Sequence, residues 1–282
     1  MAMIDWAGHR LHRQAVIADD GQWVGLLDED GVPMLSMPPL VSLDAPETRN
    51  APEEMRATVR VVSRSGLVHP TVSELIADRL GVLDAEGRLE PAANDTRMVA
   101  VERAGGKRSV YKVTHCVAEG GSDAPSTMEV HAMGVLDLLD AIPCWSVPLS
   151  ITGTWHRLDR DWGQEWVRER DVQMLEMAAQ ADGFTVDGPA DVVVHRLISE
   201  SLAATYRGVG IAADEPIRAL PLAADRPPSP RALVRPDDAS IWATVAPVAA
   251  TAGLTVSARM WWPGDDDPLG DLTTPTVLVE VS

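Results

Sequence analysis

The chain has 282 residues, 45% of them hydrophobic and 23% charged, and its 42 acidic against 24 basic residues leave a formal charge of −18. That length can bury a sizeable core and favours two domains over one, while that charge repels phosphate backbones and speaks against sequence-independent nucleic-acid binding. Two cysteines, Cys116 and Cys144, are too few for a disulfide framework or a zinc site; Met1 to Arg13 carries no secretory apolar run, and no stretch is long enough to cross a bilayer.

In chain order, residues 1–56 read as turns and short strands. Ala15-Val16-Ile17 leads to Asp19-Asp20-Gly21, Trp23 to Leu27 follows, and Asp28-Glu29-Asp30-Gly31 closes the pattern. Asp-Gly pairs between short apolar runs are hairpin signals, because glycine takes positive φ without steric penalty. Pro38 to Pro52 suits an extended arm or connecting loop, and Thr58 to Val62 a strand. Thr71 to Leu80 has helical period, with Thr71 and Glu74 at capping-box spacing and Gly81 as a C-terminal stop. Arg97 to Arg103 and Arg108 to Val117 read as a hairpin, Thr127 to His131 as a strand, and Val135 to Ile142 as a short helix before Pro143.

Four tryptophans, Trp145, Trp155, Trp162 and Trp166, then fall within 22 residues. Large amphipathic rings with few rotatable bonds suit a partner interface; burial in one core is the competing reading. Further on, Asp171 can cap a helix to Asp182 that stops at Gly183 before Phe184-Thr185-Val186. Asp238 can cap another to Ala252 that stops at Gly253 before Leu254-Thr255-Val256, kinked or split by Pro247. Between them Pro189 to Tyr206 has an apolar helical face. Six prolines between Pro216 and Pro236 mark a linker or arm. Thr255 to Trp262 and Thr276 to Val281 suit a hairpin around an acidic loop.

Chemistry is sparse. Gly105-Gly106-Lys107-Arg108 lacks the upstream glycine and following hydroxyl of a phosphate loop and joins two strands, so it reads as a turn. His115, Cys116 and His131 could meet if their strands pair, but a partly buried polar side chain is the simpler account. Asp265-Asp266-Asp267 lacks the ligand spacing of a calcium loop and reads as solvated. The alternating charges from Arg157 to Arg168 read as mutual ion pairs. No residue is assigned a catalytic, cofactor-binding or metal-binding role.

Three segments carry a family resemblance: Val59-Arg60-Val61-Val62-Ser63-Arg64-Ser65-Gly66 with His69-Pro70-Thr71-Val72-Ser73-Glu74-Leu75-Ile76; Pro143-Cys144-Trp145-Ser146-Val147-Pro148-Leu149 with Gly153-Thr154-Trp155-His156-Arg157 and Arg160-Asp161-Trp162; and Ala181-Asp182-Gly183-Phe184-Thr185-Val186-Asp187-Gly188-Pro189. Covering roughly residues 58–205, they resemble minor tail and tail-hub proteins of actinobacterial siphophages. A composition with two lysines, Lys107 and Lys112, beside abundant arginine suits the GC-rich genes of such hosts.

The resemblance implies an α+β fold, with a β-barrel-like N-terminal domain followed by small α/β domains carrying helix–Gly–strand units. Its expected parts are hairpins and an arm over 1–56, a β-barrel-like domain with one inserted helix over 57–142, and a Trp-rich junction with a first helix–strand domain over 143–210. A Pro-rich linker over 211–236 and a second helix–strand unit over 237–282 complete it. The implied role is a homo-oligomeric, preferably trimeric, ring at the virion tail tip, made in the host cytoplasm. It would join the distal tail and tape measure proteins to host-recognition parts, with genomic DNA passing nearby unbound and no membrane insertion. The acidic surface then reads either as a solubility device or as a lumen past which DNA slides. With no fibre or lytic extension evident before Ser282, adsorption and wall digestion would fall to partners. The alternatives are a six-fold distal tail ring and a carbohydrate-binding or wall-degrading tail protein.

Overall fold

The computed structural model describes residues 4–76, 83, 85–88, 96–105, 107–121, 124–176 and 185–282. Contacts divide the chain into two units: Met1–Leu136 with Arg259–Asp267 and Thr273–Pro275, and Asp137–Ala258 with Pro268–Leu272 and Thr276–Ser282. The class is mixed α+β, mostly sheet.

A helix, α1 (Trp6–Asp20), opens the first unit, where short strands were expected. The Asp5 carboxylate caps it by accepting from the Gly8 amide at 3.0 Å, and Gly21, at φ 82°, ends it. Ala15-Val16-Ile17 lies on its last turns. Its less exposed positions, Trp6, His9, Arg13, Val16 and Ile17, recur at helical spacing. Two of them are polar, which hides the apolar period that a strand reading leaned on.

Next come β1 (Gln22–Leu27) and β2 (Pro33–Ser36), joined by the expected Asp28–Gly31 turn, in which Asp28 Oδ1 accepts from the Val32 amide at 2.8 Å. Strand β3 (Leu40–Asp44) forms inside the expected arm, and β4 (Glu54–Arg60) pairs with it. The short α2 (Thr71–Leu75) has no capping box: the Thr71 hydroxyl lies 2.8 Å from His69 Nδ1, and Glu74 pairs with Arg97 at 3.0 Å. The rest of that expected helix, including Gly81, lies outside the described residues. Strands β5 (Met98–Arg103), β6 (Lys107–Gly120) and β7 (Pro125–Gly134) complete one curled antiparallel sheet in the order β2-β1-β5-β6-β7-β4-β3. It draws strands from both sides of residue 56.

Burial shows how this sheet is covered. On β4, Met55, Ala57 and Val59 are buried while their neighbours are not, the alternation of a strand with one wet face. On β1 and β5 nearly every residue is buried, because α1 packs on their second face. Side chains as fully buried as Leu26, Met55 and Val59 each contribute about 1.5–3 kcal/mol. After β7 the expected short helix forms as a 3-10 helix over Val135–Asp140.

The second unit holds a two-stranded ribbon, β8 (Trp155–Arg160) and β9 (Glu165–Gln173), then β10 (Val186–Pro189) and α3 (Ala190–Val209). Asp171 caps no helix: it sits on β9 opposite Arg157. Residues 177–184 lie outside the described residues, and with them most of the first expected helix–Gly–strand unit. Strands β11 (Ile217–Ala219) and β12 (Arg231–Val234) form within the proline-rich stretch, β12 pairing antiparallel with β10.

Helix α4 (Ile241–Ala252) is capped by the Ser240 hydroxyl, not by Asp238. The Asp238 carboxylate instead accepts from the Ser146 amide and hydroxyl, both at 2.8 Å. Pro247 does not split α4. Gly253, at φ 74°, stops it as expected, and β13 (Val256–Trp261) and β14 (Thr276–Val281) follow, with β14 between β13 and β11. Helices α3 and α4 pack on each other, and each has a fully buried isoleucine, Ile198 and Ile241. Tyr206 ties α3 to β11: its hydroxyl donates to the Ile217 carbonyl at 2.8 Å and accepts from the Ile217 amide at 3.0 Å.

Candidate functional site

The β8–β9 ribbon is the most solvated regular element of the second unit. Every residue of β8 is exposed, as are most of β9. Its apolar side chains are exposed too: Trp162 wholly, Val167 at 91%, Trp155 at 51% and Leu158 at 42%. An isolated two-stranded ribbon is only marginally stable in water, so its local bonds matter. At the tip, Asp161 Oδ1 accepts from the amides of Gly163 at 3.1 Å and Gln164 at 3.2 Å, and Oδ2 accepts from Trp166 Nε1 at 3.3 Å. These three bonds hold the Asp161 carboxyl below the usual range.

Along the ribbon, Arg157 pairs with Asp171 at 3.1 Å and Arg160 with Asp159 at 3.0 Å and Glu165 at 3.3 Å. The Arg170 guanidinium lies 4.6 Å from the centre of the Trp166 ring. Water screens these exposed pairs, so their effect is to fix register more than to add stability. The alternating charges therefore do pair with one another.

The root of the ribbon is rigid. Trp155 Nε1 and Gln173 Nε2 both donate to the Gly208 carbonyl on α3, at 2.9 and 3.3 Å, and Gln173 Oε1 accepts from the Gly153 amide at 3.4 Å. Gly153 sits at φ +75°, where a Cβ would lie 2.4 Å from the Arg207 carbonyl oxygen. Glycine is needed there both for the turn and for the close approach. Arg207 reaches back to the carbonyls of Ile151 at 3.2 Å and Pro148 at 2.8 Å.

The four tryptophans singled out from the sequence do not form one patch. Trp155, Trp162 and Trp166 share the ribbon. Trp145 is only partly exposed, and its Nε1 donates to Thr205 on α3 at 3.0 Å; it helps to build the unit.

His115 and His131 face each other on β6 and β7 with rings stacked 4.2 Å apart, while Cys116 sits opposite Val130 and burial pushes its thiol up to about 11. Among the described residues, no group of three or more His, Cys, Asp or Glu is placed to hold a metal. No described helix is long and apolar enough to cross a membrane.

One cluster in the first unit has no counterpart in the sequence reading. The Trp262 ring lies 4.7 Å from the Arg13 guanidinium and 3.8 Å from that of Arg108. Glu102 accepts from Nε of both arginines, at 2.8 and 3.0 Å, and Asp265 from Arg108 at 2.7 Å. Burial works to raise the Asp265 carboxyl, but the hydrogen bond and charge of Arg108 outweigh it and hold it below the usual range. Asp265 is thus an ion-pair partner and not part of a solvated loop. His9 Nδ1 accepts from the Arg13 guanidinium at 2.6 Å, and its ring meets the Trp23 ring edge-on at 5.2 Å. Positions 9, 13, 102, 108 and 265 share no local pattern in the sequence.

Compared with known proteins, the chain matches no family model and no curated protein.

Proposed function

We propose that the chain is a structural component of a long-tailed bacteriophage tail tip, acting as a hub ring that joins the distal tail and tape measure proteins to host-recognition proteins. It works through protein contacts and not catalysis. The sequence resemblance over residues 58–205 motivates this reading, and the observation that carries it is the ribbon. A rigidly rooted β-ribbon that exposes Trp155, Trp162 and Val167 to water has little reason to exist in an isolated molecule. Between Trp155 and Gln173 it holds four arginines and five carboxylates, against −18 for the whole chain. The ribbon therefore carries little of the net negative charge of the chain, and its alternating charges can answer those of a second copy. A homo-oligomer built on it would close as a ring, with three-fold symmetry expected.

The test is mass photometry and light scattering of the full chain, beside Trp162→Ser with Val167→Ser. A trimer that the double substitution converts to a monomer supports the proposal, as does a three-fold ring of this chain in the tail tip. A six-fold ring reassigns the chain as a distal tail protein. A monomer at high concentration that is absent from purified particles overturns the proposal. Release of fragments from host wall preparations would move the chain to the wall-degrading class.

A further inference from the structure

The first unit contains an open groove that none of the assembly contacts above uses. It has a volume of about 570 Å³ and is bounded by Pro38 and Pro39 on one side and by the run Arg60 to Pro70 on the other, within the size range of ligand-binding clefts. A tight loop builds its outer wall. Val62 and Val68 form an antiparallel bridge, the Ser63 amide donates to the Leu67 carbonyl at 2.9 Å, and the Leu67 amide donates to Ser63 Oγ at 3.1 Å. Gly66, at φ +81°, lets the chain reverse with open space around its α-carbon. The His69 amide returns to the Val61 carbonyl at 2.7 Å, so both ends of the loop are tied to the end of β4.

Two properties of this groove narrow its occupant. The first is apolar exposure. Leu67 is 73% exposed and Val68 43%, side by side on a loop that is hydrogen-bonded in place, so they offer an occupant of the groove a contiguous apolar contact. The second is charge. Arg60 and Arg64 line the groove, no carboxylate does among the described residues, and neither arginine has an ion pair among them. That is unexpected in a chain whose acidic residues outnumber its basic ones by 42 to 24. Apolar side chains and two unneutralised arginines lining one groove fit a ligand that is both apolar and anionic.

We infer that this groove docks an extended, acidic and apolar peptide segment of a partner protein. The apolar side chains of the segment would cover Leu67 and Val68, and its carboxylates would pair with Arg60 and Arg64. Charge-assisted guanidinium–carboxylate pairs add direction to the apolar contact, and their loss should be felt both in affinity and in salt dependence.

The test uses the full-length chain and a fluorescently labelled peptide of alternating leucine and aspartate, followed by anisotropy. Binding is expected to weaken at least about tenfold in Arg60→Glu with Arg64→Glu, and to fall with added salt. Leu67→Ser lies on an exposed loop, keeps the fold, and should weaken binding without changing the salt dependence. A peptide of alternating leucine and lysine, or of serine and aspartate, should bind at least about tenfold more weakly. The inference is overturned if the acidic peptide does not bind, if the charge-reversed variant binds it unchanged, or if the leucine–lysine peptide binds as well. It is also overturned if decanoate displaces the peptide at lower concentration than unlabelled peptide does, which would make the groove a lipid site. If Arg60→Glu with Arg64→Glu instead changes the oligomeric state, the occupant is a second copy and the inference fails. The ribbon substitutions serve as the converse control: they should change assembly and leave peptide binding intact, so the two proposals can fail separately.

Discussion

Replacing Glu102 by Gln removes one charge from the most enclosed ionic network of the first unit while keeping nearly the same shape. The Glu102 side chain is 8% exposed, Arg13 3% and Arg108 7%, and both guanidiniums donate to the same carboxylate oxygen. Without that negative charge two buried cations share the Trp262 ring, with only Asp265 left to answer Arg108. Breaking a buried pair by removing one partner costs about 3–5 kcal/mol, because the stranded charge keeps its desolvation penalty. In urea this should lower the unfolding midpoint of the first unit by roughly 1–2 M. The assay is urea unfolding followed by tryptophan fluorescence, with hydrogen exchange of the β5 amides as the local readout. Adding Arg13→Met to Glu102→Gln removes one stranded cation and should recover more than about 1 kcal/mol in a double-mutant cycle. A loss below about 1 kcal/mol with no coupling would show that water screens these arginines and that apolar contact around Trp262 holds the unit together.

Three further predictions concern single positions. Tyr206→Phe leaves both the amide and the carbonyl of Ile217 without their side-chain partner in a buried site, and should destabilise the second unit by about 1–3 kcal/mol in thermal melts. Gly153→Ala forces a Cβ to within 2.4 Å of the Arg207 carbonyl at a positive φ. It should loosen the ribbon root, cost more than about 1 kcal/mol, and speed hydrogen exchange in β8 and β9 ahead of α3. His9 is held at about 4, against an ordinary 6.5, by burial first and then by the charges of Arg13, His12 and Arg108. The unfolded chain therefore binds the extra proton, so the contribution of His9 is whole above about pH 6.5 and is lost as pH falls from 6.5 toward 4. After allowance for solvent around a half-exposed ring, the loss is of the order of 1–2 kcal/mol. His9→Gln, which can still accept from Arg13 but does not titrate, should flatten that part of the stability–pH curve.

Much of the fold was legible wherever a local stop signal accompanied the apolar pattern. Asp28 and Gly31 mark the β1–β2 turn, Gly253 ends α4, and a turn at Ala104 and Gly105 ends β5, each by chemistry contained in a few neighbouring residues. Helix α1 was not legible, because its inward face is built from tryptophan, histidine and arginine and is apolar only in the company of Trp262 and Glu102. Asp171 looked like a helix cap by residue type alone; pairing with Arg157 across the ribbon decides its conformation instead, and such pairing is not written in its own neighbourhood. Of the candidate site, the stretch from Trp155 to Trp166 was visible as an excess of rings. That Trp145 parts company with the others depends on Thr205, sixty positions away. The groove beside Leu67 could not be read at all, since exposure of a leucine leaves no mark on sequence.

The position of Trp262 has a consequence for how the protein is made. Residues Arg259–Asp267 belong to the unit otherwise formed by Met1–Leu136, so the N-terminal sheet leaves the ribosome before the ring and carboxylate that complete its core. At about 5–20 residues per second, the interval between residue 136 and residue 265 is roughly 6–26 s. Throughout it Trp23 lacks Trp262, one of its two edge-on neighbours, the Gly31 carbonyl lacks the Trp262 donor, and Arg108 lacks Asp265. The first unit of the nascent chain therefore lacks these three contacts until residue 265 has been added, and a chain truncated before that point should show faster hydrogen exchange in the β5 amides.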